Sequence, residues 1–189
     1  MKDYEELYYE YRSKYNNACE QINACDRMIA SLQEKRRATV NKINELNASN
    51  KKLKDAIGDL QKVLDREDDV SGKLTKVSQK MEAASENFSA MVKASDVNNK
   101  SLTDVFSSET SSTKSAISNI FSAVKTRKSN LENRLEDQKK DLERAKDELN
   151  EIDRSIRQEK DERDDWKKTK NSSYINMEYY KRKMEQEAY

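Results

Sequence analysis

The stretch that decides the fold is INACDRMIASL, residues 22–32, in which apolar side chains recur at Ile22, Cys25, Ile29 and Leu32. Alternating steps of three and four residues follow the turn of an α-helix, so these side chains share one face. The full seam reads Tyr8, Tyr11, Tyr15, Ala18, Ile22, Cys25, Ile29, Leu32, Arg36, Thr39, Ile43, Leu46, Asn50, Leu53, Ile57, Leu60 and Leu64. A heptad repeat of this length predicts a coiled-coil arm.

A second seam with the same spacing occupies the last third of the chain. It reads Ile117, Phe121, Val124, Lys128, Leu131, Leu135, Gln138, Leu142, Ala145, Leu149, Ile152 and Ile156. The pattern weakens through Glu159 and Arg163 to Trp166, and it resumes loosely at Met177, Tyr180 and Met184. The positions between the seam residues are nearly all charged from Leu131 to Arg163, as a solvated helix surface requires. This segment predicts a second coiled-coil arm.

The composition supports long helices and excludes a broad globular core. The 189 residues are 39% charged and 34% hydrophobic, with no proline and two glycines. Proline breaks helix interiors and glycine weakens them, so their scarcity favours continuous helix. The 37 basic and 36 acidic residues give a net charge of +1. This balance gives no field that would draw the chain to nucleic acid or to an anionic membrane.

The segment between the arms predicts shorter elements. The charge run 65–69 precedes Gly72, where a kink is expected. Helical spacing returns from Leu74 to Met91, residues 96–100 indicate a turn, and the Ser/Thr-rich stretch 107–115 indicates a loop. The chain is therefore divided into a first arm (1–67), a helical connecting segment (68–113) and a second arm (114–189).

Two arrangements of the arms fit the seams. Alternating Ile and Leu around a polar Asn50 is typical of a parallel dimer. The clustering of tyrosines near both termini favours an antiparallel hairpin, because antiparallel pairing brings the two clusters together. A register in which paired residue numbers sum to about 195 sets Arg36 opposite Glu159. The fold expected is all-α: a long antiparallel coiled-coil helical hairpin, with the short connecting helices packed over its tip.

The sequence lacks the residues that most enzymes and metal sites use. Histidine is absent, and two glycines cannot build a phosphate-binding loop. Cys19 and Cys25 are too far apart along one helix for a disulfide within it and, without histidine, make a poor metal site, so packing residues are expected. An intermolecular disulfide is the alternative. We therefore expect no enzymatic activity, no cofactor and no metal.

The segment Leu102-Thr103-Asp104-Val105-Phe106-Ser107-Ser108-Glu109-Thr110 lies between the arms. It resembles the central Trp-x-Gly-x-x-Ala turn of small helical-hairpin proteins of Gram-positive type VII secretion, WXG100-like proteins and the helical partners of LXG-domain toxins. Phe106 stands at the Trp position and Ser108 at the Gly position. Tyr174 and Glu178 are similar to the Tyr-x-x-x-Asp/Glu export element of that family.

The resemblance implies a targeting partner or chaperone that binds the helical N-terminal domain of a secreted toxin. It implies a cytoplasmic protein that can be exported; the acidic N-terminus has no apolar region typical of a conventional signal peptide. The residues expected to bind the partner are Leu102, Phe106, Trp166, Tyr174 and Glu178.

The alternative function is a structural spacer or tether that self-associates, as a homodimer, through its seams. In both cases the partner is a protein, with no nucleic acid and no membrane span.

Overall fold

The computed structural model describes residues 3–93 and 100–187, and nearly all of them are helical. Three helices follow one another: α1 (Tyr4–Leu64), α2 (Glu67–Lys93) and α3 (Lys100–Glu187). The described part of the chain contains no strand, and its helices pack in antiparallel pairs, so the predicted all-α helical hairpin is confirmed. Within these ranges the description covers the backbone alone, and not the side chain, for Ser85, Ser89, Val92, Lys93, Lys100, Ser101, Leu102, Thr103 and Phe106.

The chain forms two compact units. The first unit combines Met1–Leu46 with Asp141–Tyr189, and the second unit is Asn47–Lys140. The boundaries of these units differ from those of the three segments expected from the sequence. Each of the two long helices, α1 and α3, contributes to both units.

The core of the first unit is the predicted seam. Its buried side chains are Ala18, Cys25, Ile29 and Thr39 from α1, with Leu142, Ala145, Ile152, Ile156 and Ser173 from α3. All except Ser173 were seam positions in the sequence. Ser173 and the half-buried Lys170 fill the gap between Trp166 and Met177, so the three-and-four spacing continues where apolar residues are missing.

The register of the first unit differs from the one expected. The Arg36 Nε lies 2.7 Å from Asp153 Oδ1, and Arg163 Nη1 lies 3.2 Å from Asp26 Oδ1. Both pairs have residue numbers that sum to 189, so the predicted pairing of Arg36 with Glu159 is wrong. A heptad repeat looks alike after a shift of about one heptad, and the sequence alone therefore left the register open.

The second unit pairs α2 with the beginning of α3. Lys125 Nζ lies 2.8 Å from Glu67 Oε2, and Thr110 Oγ1 lies 3.9 Å from Met81 Sδ. These contacts place α2 side by side with α3 instead of over the end of the arms. The buried side chains of this unit are Asn50, Leu53, Ser78 and Phe121.

The loop predicted at residues 107–115 is wrong, since α3 runs through it without interruption. Serine and threonine are less favourable than alanine in a helix by only about 0.5 kcal/mol each. Contacts such as that of Thr110 with Met81 offset this small preference. The turn predicted at 96–100 lies, for residues 96–99, outside the described residues.

The interruption between α1 and α2 lies at Asp65 and Arg66, not at the predicted position of Gly72. Glu67, Asp68 and Asp69 form the first turn of α2. Acidic side chains stabilise the positive N-terminal end of a helix, so this charge run favours the start of a new helix. Gly72 is exposed within α2, with nothing near the position of a Cβ atom.

None of the helices, as far as their residues are described, has a stretch of sufficient length and apolar character to cross a membrane.

Candidate protein-binding site

The tyrosines from the two ends of the sequence meet in the first unit, as the antiparallel arrangement predicts. The ring of Tyr180 stacks on Tyr11 with centroids 5.6 Å apart, and it lies 6.2 Å from Tyr4. The rings of Tyr15 and Tyr174 are 6.0 Å apart. Aromatic pairs at these separations stabilise a structure by about 0.5–1.5 kcal/mol beyond the area they bury. We call this set of five rings the aromatic cluster.

Lysines lie over two of these rings. Lys14 Nζ is 4.8 Å from the centroid of Tyr11, and Lys170 Nζ is 5.6 Å from that of Tyr15. A cation over an aromatic face is attracted to the negative charge of the ring face. The lysines therefore cover ring faces that would otherwise meet water.

The outer side of the cluster is exposed. Tyr174, Ile175 and Tyr179 are 50%, 66% and 53% exposed, respectively. They stand on α3, where Ile175 and Tyr179 are one helical turn apart. We call these three residues the exposed aromatic surface. Neighbouring large apolar side chains exposed on one helix are typical of a protein-binding surface.

The predicted site residues fall into two groups. Tyr174 and Glu178 lie one turn apart on α3, and Trp166 is half-buried in the seam further back on the same helix. Leu102 and Phe106 belong to the part of α3 in the second unit, and their side chains lie outside the described ones. The structure thus brings Tyr174 and Glu178 onto one helix face.

Sequence reasoning missed Ile175 and Tyr179 as surface residues. Ile175 stands two positions before the seam residue Met177, off the three-and-four spacing. An apolar residue outside the seam of a coiled coil is the signal that could have identified it.

Cys25 meets two carboxylates at the interface of α1 with α3. Its thiol, Glu159 and Glu162 have ligand-type atoms within 4.8 Å of one another, and they are the group of described residues that could hold a metal ion. Burial raises the pKa of the Cys25 thiol, and the negative charges of Glu159 and Glu162 raise it further. The thiol is therefore protonated at neutral pH and is a poor nucleophile.

The ion pairs around this group are on the surface. Hydrogen bonding to Asp26 raises the pKa of Arg163, and hydrogen bonding to Lys167 lowers the pKa of Asp164. Both pKa shifts favour the charged forms of these two side chains. A solvent-exposed ion pair contributes only about 0–1 kcal/mol to stability. These contacts therefore add little to the free energy of folding.

Compared with protein-family models, with curated proteins and with solved structures, the chain gives no significant match.

Proposed function

We propose that this chain is a non-enzymatic adaptor that binds another helical protein through the exposed aromatic surface of its first unit. The observation that carries the proposal is the exposure of Tyr174, which belongs to the packed aromatic cluster, together with that of Ile175 and Tyr179 beside it. A packed cluster holds the neighbouring backbone rigid, so little conformational entropy is lost when a partner covers the exposed side chains. Tyrosine is enriched at interfaces because it buries a large area with few rotatable bonds.

The partner we propose is the helical N-terminal domain of a secreted toxin of a type VII secretion system. The resemblance at residues 102–110 suggests this class of partner, and the placement of Tyr174 and Glu178 one turn apart on α3 is compatible with the export element. The chain would act as a targeting partner or chaperone and would meet the toxin in the cytoplasm. Export by that system would then follow.

The alternative is a spacer that self-associates through its seams. In the first unit, seam residues of both helices, such as Ile29 of α1 and Ile152 of α3, are already buried within a single chain. Opening this pairing to join a second copy would expose the same apolar area that the new pairing buries. The exposed residues, which need no such rearrangement, therefore favour the adaptor.

The test is co-purification of the full chain with toxin N-terminal domains encoded beside it, followed by calorimetric titration. Ile175→Lys places a charge in the middle of the exposed aromatic surface, and we expect the Kd to rise at least about 30-fold, as at an interface hot spot. The matched control is Met28→Lys, because Met28 is 50% exposed in the same unit outside this surface. Equal affinity of the two variants, or no complex with any such domain, would reject the proposal.

A further inference from the structure

A groove on the surface of the first unit is lined by more basic than acidic side chains. It lies between α1 and α3 and has a volume of about 590 Å³. Its charged lining residues are Arg36 and Arg37 of α1 with Asp153, Arg157 and Lys160 of α3. Four of these side chains are basic and one is acidic, although the chain as a whole is almost neutral. We call this groove, with its four bases, the basic groove.

The single acid of the groove does not neutralise the four bases. Asp153 Oδ1 accepts a hydrogen bond from Arg36 Nε at 2.7 Å, and the backbone oxygen of Asp153 accepts one from Arg157 Nε at 3.2 Å. Because each bond uses only the Nε atom, the Nη groups of both guanidinium groups remain for a ligand. Arg37, Arg157 and Lys160 form no ion pair within the described part of the chain.

Two further acids lie beside the groove without lining it. Glu34 is one helical turn before Arg37, and Asp161 is one turn after Arg157. Both acids are exposed, and among the residues that the structure describes neither forms an ion pair with a base of the groove. With both of them counted, four bases stand against three acids, so the local charge remains positive.

The remaining acids of this region have other partners. Asp26 lies 3.2 Å from Arg163 Nη1, and Asp164 lies 3.6 Å from Arg163 Nε. The two glutamates that meet the Cys25 thiol lie within 4.8 Å of it and do not line the groove. An anion in the groove would therefore contact bases, with Asp153 as the one carboxylate among the lining residues.

We propose that the basic groove binds a small polyphosphate, an anion in which two or more phosphate groups are linked. A guanidinium group binds phosphate oxygens through paired N–H donors, and a lysine binds them as a point charge. One phosphate group carries about two negative charges, fewer than the four bases of the groove, so linked phosphates match the groove better. The groove also has the size of a small-molecule site, for which about 300–1,000 Å³ is typical.

The bases of the groove repel one another when no anion is bound. Arg36 and Arg37 are adjacent on α1, and Arg157 and Lys160 are one turn apart on α3. Like charges at such a spacing on a helix lower its stability. A bound polyphosphate removes this repulsion, and it should therefore raise the midpoint temperature of unfolding.

The groove is separate from the exposed aromatic surface. Lys160, the lining residue nearest to that surface along α3, precedes Tyr174 by about 21 Å at the α-helical rise. The inference therefore goes beyond the proposed function and does not depend on it.

The experiment is calorimetric titration of the full-length chain with sodium tripolyphosphate, in a phosphate-free buffer of low ionic strength. We expect one ligand for each chain, with a Kd at least about 10-fold lower than that for inorganic phosphate, because a single phosphate group makes fewer charge-assisted hydrogen bonds. Thermal unfolding followed by circular dichroism at 222 nm should show a higher Tm with tripolyphosphate than without it.

Two double variants separate a built site from general attraction between charges. Arg157→Gln with Lys160→Gln removes the bases that α3 gives to the groove, and we expect the Kd for tripolyphosphate to rise at least about 30-fold, because hydrogen bonds to charged groups are lost. The matched control, Lys35→Gln with Arg154→Gln, removes the same charge from exposed residues of the two helices that do not line the groove. It should change the Kd by less than about 3-fold, since exposed charges are screened.

The circular dichroism signal at 222 nm checks that both variants stay helical, as substitutions at exposed positions should. Three results would overturn the proposal: no binding of tripolyphosphate, equal affinity for tripolyphosphate and phosphate, or an equal rise of the Kd in both double variants.

Discussion

The two units use the same helix-pairing principle but differ in what they leave on the surface. In the first unit the solvent-facing positions are dense in charge, and rings such as Tyr11 and Tyr180 stack against each other. In the second unit the first part of α3 is poor in charge, and Ile120 is 60% exposed. A two-helix pair buries only one face of each helix, so the fold is satisfied in both cases. The side chains on the remaining faces are not needed for the helix pairing and can bind other molecules.

The largest difference in the free energy of unfolding is expected between a substitution in the core of the first unit and one on the surface of the second. Ile152 is 8% exposed and Ile120 is 60% exposed. Ile152→Ala should lower the free energy of unfolding by about 2–5 kcal/mol, because it removes buried methyl groups and leaves a cavity. Ile120→Ala should lower it by less than about 0.5 kcal/mol, because most of this side chain is already in water. Urea unfolding at micromolar concentration or below, followed by circular dichroism, measures both.

Equal losses for the two variants would mean that Ile120 is already buried in solution.

A second effect should appear in the reactivity of the two cysteines of the first unit. Cys25 is 4% exposed and Cys19 is half-buried. With its pKa raised by burial and by Glu159 and Glu162, Cys25 should react with a maleimide at least about 100-fold more slowly than Cys19 in the folded chain. Mass spectrometry of timed samples at pH 8 gives both rates. The difference should vanish in urea, and its persistence there would assign it to local sequence.

The raised pKa of the Cys25 thiol makes the stability of the fold depend on pH. A pKa raised on folding means that the folded chain favours the protonated thiol. The contribution of Cys25 to stability is therefore fully present below the ordinary thiol pKa and declines as the pH rises above it. Cys25→Ala should flatten that alkaline decline.

The smallest effect should come from the ion pairs, one in each unit. Arg36 with Asp153 and Lys125 with Glu67 both join two helices at the surface. Double-mutant cycles with alanine should give coupling free energies of about 0.2–1 kcal/mol for each pair. We expect both coupling free energies to fall in 1 M salt, because salt screens the interaction between solvated charges. A coupling of several kcal/mol for either pair would mean that it lies in a buried interface.

Much of the fold could be predicted because burial follows periodicity. Ala18, Ile29 and Thr39 were assigned to the seam from spacing alone, and all three are buried. The meeting of the terminal tyrosines could also be predicted, since antiparallel arms must bring the chain ends together.

Predictions based on local composition were less successful. Serine and threonine between residues 107 and 115 suggested a loop, yet the contacts of α3 with α2 hold this stretch in a helix. The exposed aromatic surface was only partly foreseen, because Ile175 lies off the seam and exposure depends on what the opposite helix covers.

The sequence by itself determined the two apolar seams and favoured the antiparallel sense, because these depend on the period of apolar residues and on where the aromatic residues lie. The tertiary structure decided the register that pairs Arg36 with Asp153, the pairing of α2 with α3 and the side on which Ile120 remains exposed. The physical reason is that a heptad repeat looks alike after a shift of one heptad. Only the packing of particular side chains across the interface makes one of these arrangements lower in free energy than the others.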